Sequence, residues 1–523
     1  MLSCGRQTAG VTPASDSVFT STRSVTSLLL EVDGTLWAGT TGGLLRRLPS
    51  GQWRKWTRQD GLPSEEVRQL SLSAAGEVQA AFPRAAAVWH TGTWQSRPEP
   101  GGDAAFSAAE TCPPVVWNGV RCTAGLTGLT LGDGPDARHL PLPPSAGTHV
   151  SALLPQRATL WAALYGDGLW ERSGAGPGDV WKAVLPGLPA EAREITALAA
   201  RGNSVWVGTR RAGLWRHGPD GWHPETPPVQ ESADHNIQSL ASYDGCVYAS
   251  TLQDGLVIKT PSGWHQVTVP TLSSAAPRQL LVFGRRLFVR HGSGVVDRWD
   301  GKRWARNVFA FLPRGGVSAL ATDGTRLYAA QWGGWSETDG HVWTHHLTLP
   351  ALRGQIITAL CPEGGTLWLG TQGRSVAEVS RAAGTVRWHD ERAGLTDDWI
   401  TCLAQIGPTL CAGTFVGGLN CLTAGSGPKQ RWSAPAALHG ANVTALAPDG
   451  AGGVWAATRT GVWHRSAGGQ WAAQAAFLEP EAQALLPVPG GLWIGTRTGL
   501  DFLRVPAVSA GSASARQGSE RAG

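Results

Sequence analysis

The chain is short of charge: Asp, Glu, Lys and Arg make up 16% of its 523 residues, against ~25% in ordinary soluble domains. Lysine stands only at positions 55, 182, 259, 302 and 429, and the net charge of +5 is spread over the whole length. No basic run interleaved with aromatics occurs, so nucleic acid is not an expected partner. Long apolar runs are missing too. Nothing approaches the ~18 residues that cross a bilayer as a helix, so no transmembrane segment is expected. The cysteines, at 4, 112, 122, 246, 361, 402, 411 and 421, form no Cys-x-x-Cys pair, which argues against zinc. Cys402, Cys411 and Cys421 fall on successive strands, so Cys411 faces one neighbour or the other; buried free thiols are the adopted reading and a disulfide the alternative. Five of the fourteen histidines follow a repeat tryptophan (His90, His223, His265, His389, His464), and His345-His346 is the one adjacent pair. No metal or cofactor is expected. Phosphate-binding glycine loops, a serine nucleophile elbow and a His-Glu-x-x-His string are also missing.

What the chain has is tryptophan, glycine and proline: 26, 69 and 34 residues. The stretch from Ile195 to Glu225 reads as four short strands. These are Ile195 to Ala199, Ser204 to Thr209, Gly213 to His217 and Gly221 to Glu225, joined by turns that use glycine at positive φ. Alternation in the second strand puts Val205 and Val207 on one face and Trp206 on the other. Both faces are apolar, so the unit needs a sheet on each side.

The tryptophan of the second strand recurs. Trp37, Trp117, Trp161, Trp206, Trp368, Trp455 and Trp493 occupy its place, Tyr248, Phe288, Tyr328 and Cys411 stand in for it, and Gln79 marks a degenerate copy. Twelve copies at a period near forty predict an all-β fold of about twelve four-stranded β-propeller blades. Each marker residue is expected to be wedged between neighbouring sheets. Rings usually hold four to eight blades, so two propellers are expected.

LWAGTTGGLLR from Leu36, VWVGTRRAGLWR from Val205, LWLGTQGRS from Leu367 and LWIGTRTGLDFL from Leu492 resemble the two-component-regulator propeller repeat. The connections DGLPSEEV from Asp60, PGLPAEAREI from Pro186 and AGLTDDWI from Ala393 resemble that family's Gly-Leu-Pro linker. The resemblance covers roughly residues 25 to 505. It implies the extracytoplasmic sensor of a membrane histidine kinase, often two seven-bladed rings that bind glycan fragments. This chain departs from the pattern in having twelve copies and no kinase or DNA-binding domain, so the resemblance implies sensing or binding and not kinase activity.

The expected organisation is an N-terminal segment (1–24), a first propeller (25–273), a second (274–505) and a disordered polar tail (506–523). Six blades and six are the first choice, with a junction near 271–276; seven and five are the alternative. Blade 12 has three strands of its own, and Ser17 to Thr22 is the candidate for its fourth. The start, MLSCGRQTAG, lacks an apolar core, so no signal peptide is present as written. Leu2-Ser3-Cys4-Gly5 nonetheless resembles the cleavage box of bacterial lipoproteins, with Cys4 lipidated. An extracytoplasmic, lipid-anchored protein is the expectation and a cytoplasmic one the alternative.

In a propeller, the turns between second and third strands share one end of the channel with the linkers between blades. The richer mouth belongs to blades 8 to 12, where Trp332, Trp335, Trp399 and Phe415 offer stacking faces and Arg374, Arg459 and Arg497 offer bidentate donors. These residues are the candidate site for a glycan-like or anionic small ligand, without turnover, in signalling with a separate histidine kinase or envelope protein. The rival is a propeller glycoside hydrolase or lyase, which needs two acids across a cleft. Glu65, Glu66, Asp167, Asp254, Asp397 and Asp398 lie in connecting loops, and no pair among them stands out.

Overall fold

A computed structural model describes residues 19–98, 112–125, 128–143, 149–176, 178–225, 236–260, 263–423, 431–474 and 481–505. Cys4, Ser17, Val18 and the tail lie outside the described residues. The fold is all-β. Twelve antiparallel sheets follow one another along the chain, eleven of four strands and one of three; the helices among the described residues are five short 3-10 turns. The sheets span Val25–Trp56 (blade 1), Gln69–Pro98 (2), Val115–Pro141 (3), Val150–Ala183 (4), Ile195–Pro224 (5), Ile237–Val267 (6), Pro277–Ala305 (7), Ala319–His346 (8), Ile357–His389 (9), Ile400–Thr423 (10), Val443–Ala473 (11) and Ala482–Arg504 (12). Blade 10 is the three-stranded one.

The repeated Gly-Thr at the end of the second strand has a physical reason in each half. The threonine hydroxyl closes the hairpin to the third strand: Thr209 donates to the Gly213 carbonyl at 2.8 Å, Thr371 to Ser375 at 2.9 Å and Thr414 to Gly418 at 2.7 Å. The glycine lets the first residue of the next blade approach. A Cβ on Gly370 would stand 2.6 Å from Ile400 Cγ2 of blade 10, well inside van der Waals contact.

That approach also reveals which blades are neighbours. A Cβ on Gly208 of blade 5 would stand 2.4 Å from Val25 of blade 1, and one on Gly495 of blade 12 would stand 2.5 Å from Ile237 of blade 6. A polar belt on the first strands agrees. The second residue of most first strands sits in a β-bulge, which frees its side chain from the ladder to reach the adjacent blade. Thr358 donates to the Ile400 carbonyl, Thr401 to Val443 and Thr444 to Ala482. Two links break this step of one repeat: Thr196 donates to Val25, 171 residues back, and Gln238 to Gln483, 245 residues on.

The contacts therefore order the blades in two runs. Blades 6 to 12 form a closed run of seven, and blades 3, 4, 5, 1 and 2 pack in that order as a run of five. The equal division at 271–276 does not follow them. Leu272 packs in the core shared by blades 6 and 7, inside the run of seven, and the break falls between blades 5 and 6. An equal division would have set Gly495 against blade 7. Gly495→Ala is expected to cost about 1–3 kcal/mol by overpacking, and Ile237→Ala should relieve part of it. A double-mutant cycle in urea checks this; strictly additive costs would mean that blade 12 does not close on blade 6.

The fourth strand of blade 12 comes from the other end of the chain. Phe19–Thr20 pairs antiparallel with Gly499–Arg504, Phe19 opposite Leu500 and Thr20 opposite Gly499. The seven-blade run is thus interrupted in sequence by the five-blade run. The joint is fastened where they meet: the Thr20 hydroxyl donates to Gly42 at 2.5 Å, Lys55 donates to the Thr20 carbonyl at 2.7 Å, and Arg58 of the first run pairs with Asp501 of the second.

Blade 3 is shifted from its expected register. Trp117 closes the first strand, Val115–Trp117, instead of sitting in the second. Asn118 and Gly119 both take positive φ (50° and 77°), the turn geometry that Asn-Gly favours, so the chain reverses immediately after Trp117. In blade 10, Cys411 lies opposite Cys421, with the two sulfurs 2.6 Å apart and no disulfide between them. Burial pushes the Cys361 and Cys402 thiols up to about 11.

Candidate functional site

At one end of the seven-blade run the hairpins between second and third strands alternate with the interblade linkers, stitched together through backbone. Phe415 N donates to the Trp399 carbonyl at 3.1 Å, Gly373 N to Asp398 at 3.1 Å, Arg459 N to Asn442 at 3.2 Å and Glu481 N to Arg459 at 2.9 Å. Each linker is therefore wedged between two hairpins, and linker and hairpin side chains share one mouth.

Trp399 and Phe415 form the most conspicuous surface there. Their rings stack at 4.6 Å with an 18° interplanar angle, and they remain 38% and 39% exposed. Asp397 holds both in place: it accepts from Trp399 N at 3.0 Å, Val416 N at 2.8 Å and Gly417 N at 3.2 Å. Beside them opens a cavity of about 410 Å³ lined by Gln238, Thr401, Phe415, Asn442, Thr444, Arg459, Glu481 and Gln483. Glu481 faces two cations, Arg497 at 3.2 Å and Arg459 at 4.0 Å. Both guanidinium groups are largely exposed, so solvent screens these pairs.

The sequence-derived candidates separate into two groups. Phe415 and Arg459 line the cavity, Trp399 stacks on Phe415, and Arg497 joins through Glu481. Trp335 belongs elsewhere: it is 0% exposed, lies in the core shared by blades 8 and 9, and stacks on His346 at 4.4 Å. Its place is the second residue of a third strand, Gly334–Thr338, not a loop. Arg374 turns over the Trp388 ring at 4.4 Å, on the outer strand of blade 9. Trp332 is 56% exposed but is not among the residues lining the cavity.

Three of the six loop acids have set partners: besides Asp397, Asp398 accepts from the Ser375 hydroxyl, and Glu65 accepts from Arg58 N at 2.9 Å. Glu481 is the one carboxylate among the described residues lining the cavity, whereas glycoside hydrolysis by acid and base or nucleophile calls for two. No cluster of three His, Cys, Asp or Glu side chains suited to a metal occurs among the described residues. Sequence reasoning missed Gln238, Thr401, Asn442, Thr444, Glu481 and Gln483. The signal available for four of them was position: each is the second residue of a first strand, in IQSL, ITCL, VTAL and AQAL.

No family model matches the chain, and no curated protein matches it. Solved structures do. The extracellular domain of the hybrid two component system BT3049 from B. thetaiotaomicron is 15% identical with a TM-score of 0.46, over 93% of this chain and 69% of that one. The extracellular domain of BT4673 from the same organism is 14% identical with a TM-score of 0.43, over 92% and 69%. YCF48 from Cyanidioschyzon merolae is 12% identical with a TM-score of 0.41, over 51% and 94%. At these values the likenesses carry no argument about ligand or activity. The chain itself is an all-β protein of twelve propeller-type blades.

Proposed function

We propose that this chain is a non-catalytic, extracytoplasmic sensor propeller, arranged as a closed run of seven blades and a run of five, whose seven-blade mouth binds a glycan-like or anionic small ligand. One observation carries the reading: a half-exposed stacked aromatic pair stands at the rim of a cavity walled by amides, hydroxyls and the Arg459–Glu481 pair. Aromatic faces suit the apolar faces of sugar rings, and side-chain amides and hydroxyls suit their hydroxyl groups. The partner in this reading is a separate histidine kinase or envelope protein. Lipidation at Cys4 would supply the anchor.

The test is a thermal-shift and calorimetric screen against neutral and acidic oligosaccharides. A stabilising oligosaccharide is expected, and Trp399→Ala should weaken it by about 0.5–1.5 kcal/mol, the worth of one aromatic contact. Binding unchanged in Trp399→Ala would move the site elsewhere. Product formation in the same mixtures would replace the sensor with the glycan-cleaving enzyme.

A further inference from the structure

Around blades 6 to 12 the channel belt carries Gln238, Arg278, Thr358, Thr401, Thr444 and Gln483, each the second residue of a first strand, and Ser318, which directly precedes the first strand of blade 8. Six are neutral; Arg278 is the one charge. Its Nη1 donates to Gln238 Oε1 at 2.8 Å, and Gln238 itself lines the cavity beneath Trp399 and Phe415. Gln238 is tied in turn to Gln483 at 2.6 Å and to Asn236 at 2.7 Å. A guanidinium has five N–H groups, and among the described residues this one has a single hydrogen-bond partner, Gln238.

Arg290 stands behind Arg278 on the adjacent strand. Its contacts are all neutral: Nε donates to Gln279 Oε1 at 3.3 Å and Nη1 to the His291 carbonyl at 3.4 Å. Burial, and then the neighbouring Arg278, bring its pKa down to about 10. Among the described residues neither arginine has a carboxylate within ion-pair distance. Two neighbouring guanidinium groups without a countercharge repel each other and lack the pairing that partly buried charge requires. An anion supplied from outside removes both penalties.

We propose that Arg278, backed by Arg290, forms an anion subsite in the seven-blade channel, so that the ligand carries a carboxylate and is an acidic rather than a neutral sugar. This rests on the mouth being the binding site. In that arrangement the Trp399–Phe415 pair takes a sugar face at the rim while the carboxylate reaches the belt, where a bidentate guanidinium contact supplies specificity.

The experiment uses the full chain and three probes: an oligogalacturonate, a neutral galactose-containing oligosaccharide of equal length, and inorganic sulfate. Affinities are measured for the wild type, Arg278→Gln, Arg278→Lys and Trp399→Ala. The expected result is tighter binding of the oligogalacturonate than of the neutral probe. Arg278→Gln should lower it about 10–100-fold, the range of one charge-assisted contact, with partial recovery in Arg278→Lys. The neutral probe should respond to Trp399→Ala and not to Arg278→Gln. Oligogalacturonate binding that survives Arg278→Gln overturns the subsite, and if Trp399→Ala still weakens binding the mouth reading stands alone. Sulfate binding that depends on Arg278, with neither oligosaccharide bound, keeps the subsite and overturns the glycan reading. If no probe binds, both fall.

Discussion

Replacing Trp493 by alanine is expected to destabilise the protein by about 3–5 kcal/mol, the cost of deleting a large buried aromatic from a close-packed core. Trp493 is 1% exposed. It lies where blade 12 closes on blade 6, among Ile237, Val247, Val257, Leu500 and Phe502, with its ring 4.9 Å from Phe502 and 6.3 Å from Trp264. The loss therefore falls on the seam that shuts the seven-blade run, where a cavity is poorly refilled because both sheets are held by their own ladders. Trp493→Phe should cost much less, because the indole N–H has no hydrogen-bond partner and its removal releases an unsatisfied donor. Urea unfolding of the two variants checks this. A wild-type-like midpoint for Trp493→Ala would mean that the seam does not bear on stability. Trp206, the same repeat position in blade 5, is only half-buried, so the same substitution there should cost distinctly less.

Asp297→Ala is expected to be as damaging, about 3–5 kcal/mol, because it removes one partner of a fully buried pair. Blade 7 has His291 where other blades carry the hairpin threonine, and Asp297 does the fastening instead. Its carboxylate accepts from His291 Nε2 at 2.8 Å, Ser273 N at 2.7 Å, the Ser273 hydroxyl at 2.6 Å and Asn307 N at 2.9 Å. Both side chains of the His291–Asp297 pair are 0% exposed. Without Asp297 the imidazole would be buried with neither nitrogen paired, since Nδ1 has no partner already. Burial by itself would raise the carboxyl, but the hydrogen bonds from His291, Ser273 and Asn307 outweigh it and hold the carboxyl below its ordinary value. A folded-state pKa below the unfolded ~3.9 means stability that is present above that value and is lost as pH falls through the folded pKa. Asp297→Asn keeps the shape and loses the charge. The gap in melting temperature between it and the wild type should be full near neutrality and close in strong acid. A gap that widens on acidification would reverse the sign and sink the assignment.

Much of this was legible in the residues themselves. The recurring apolar ring marks the second strands, Gly-Thr marks their ends, and the missing fourth strand of blade 12 points to an apolar segment elsewhere, which Phe19–Thr20 supplies by pairing. These are local matters, decided by alternation, turn chemistry and the need to cover two apolar faces. Where a local signal was overlooked, the register slipped: Asn118-Gly119 reverses the chain one strand earlier than the tryptophan spacing alone suggested.

Only the tertiary structure decided which blades are neighbours and which side chains meet at the mouth. All twelve repeats carry nearly the same edges, so nothing in the text of one blade names the blade that closes on it. Val25 against Gly208 and Ile237 against Gly495 are matches between residues that many blades share, and closure selects among them through the accumulated angle between sheets. The mouth behaves in the same way. Trp335 and Trp399 look alike in sequence, yet one strand position buries the first between sheets while a linker lifts the second into solvent. Arg278 shows its character only when seven first strands are brought around one axis, because a guanidinium's meaning depends on whether any carboxylate stands within reach.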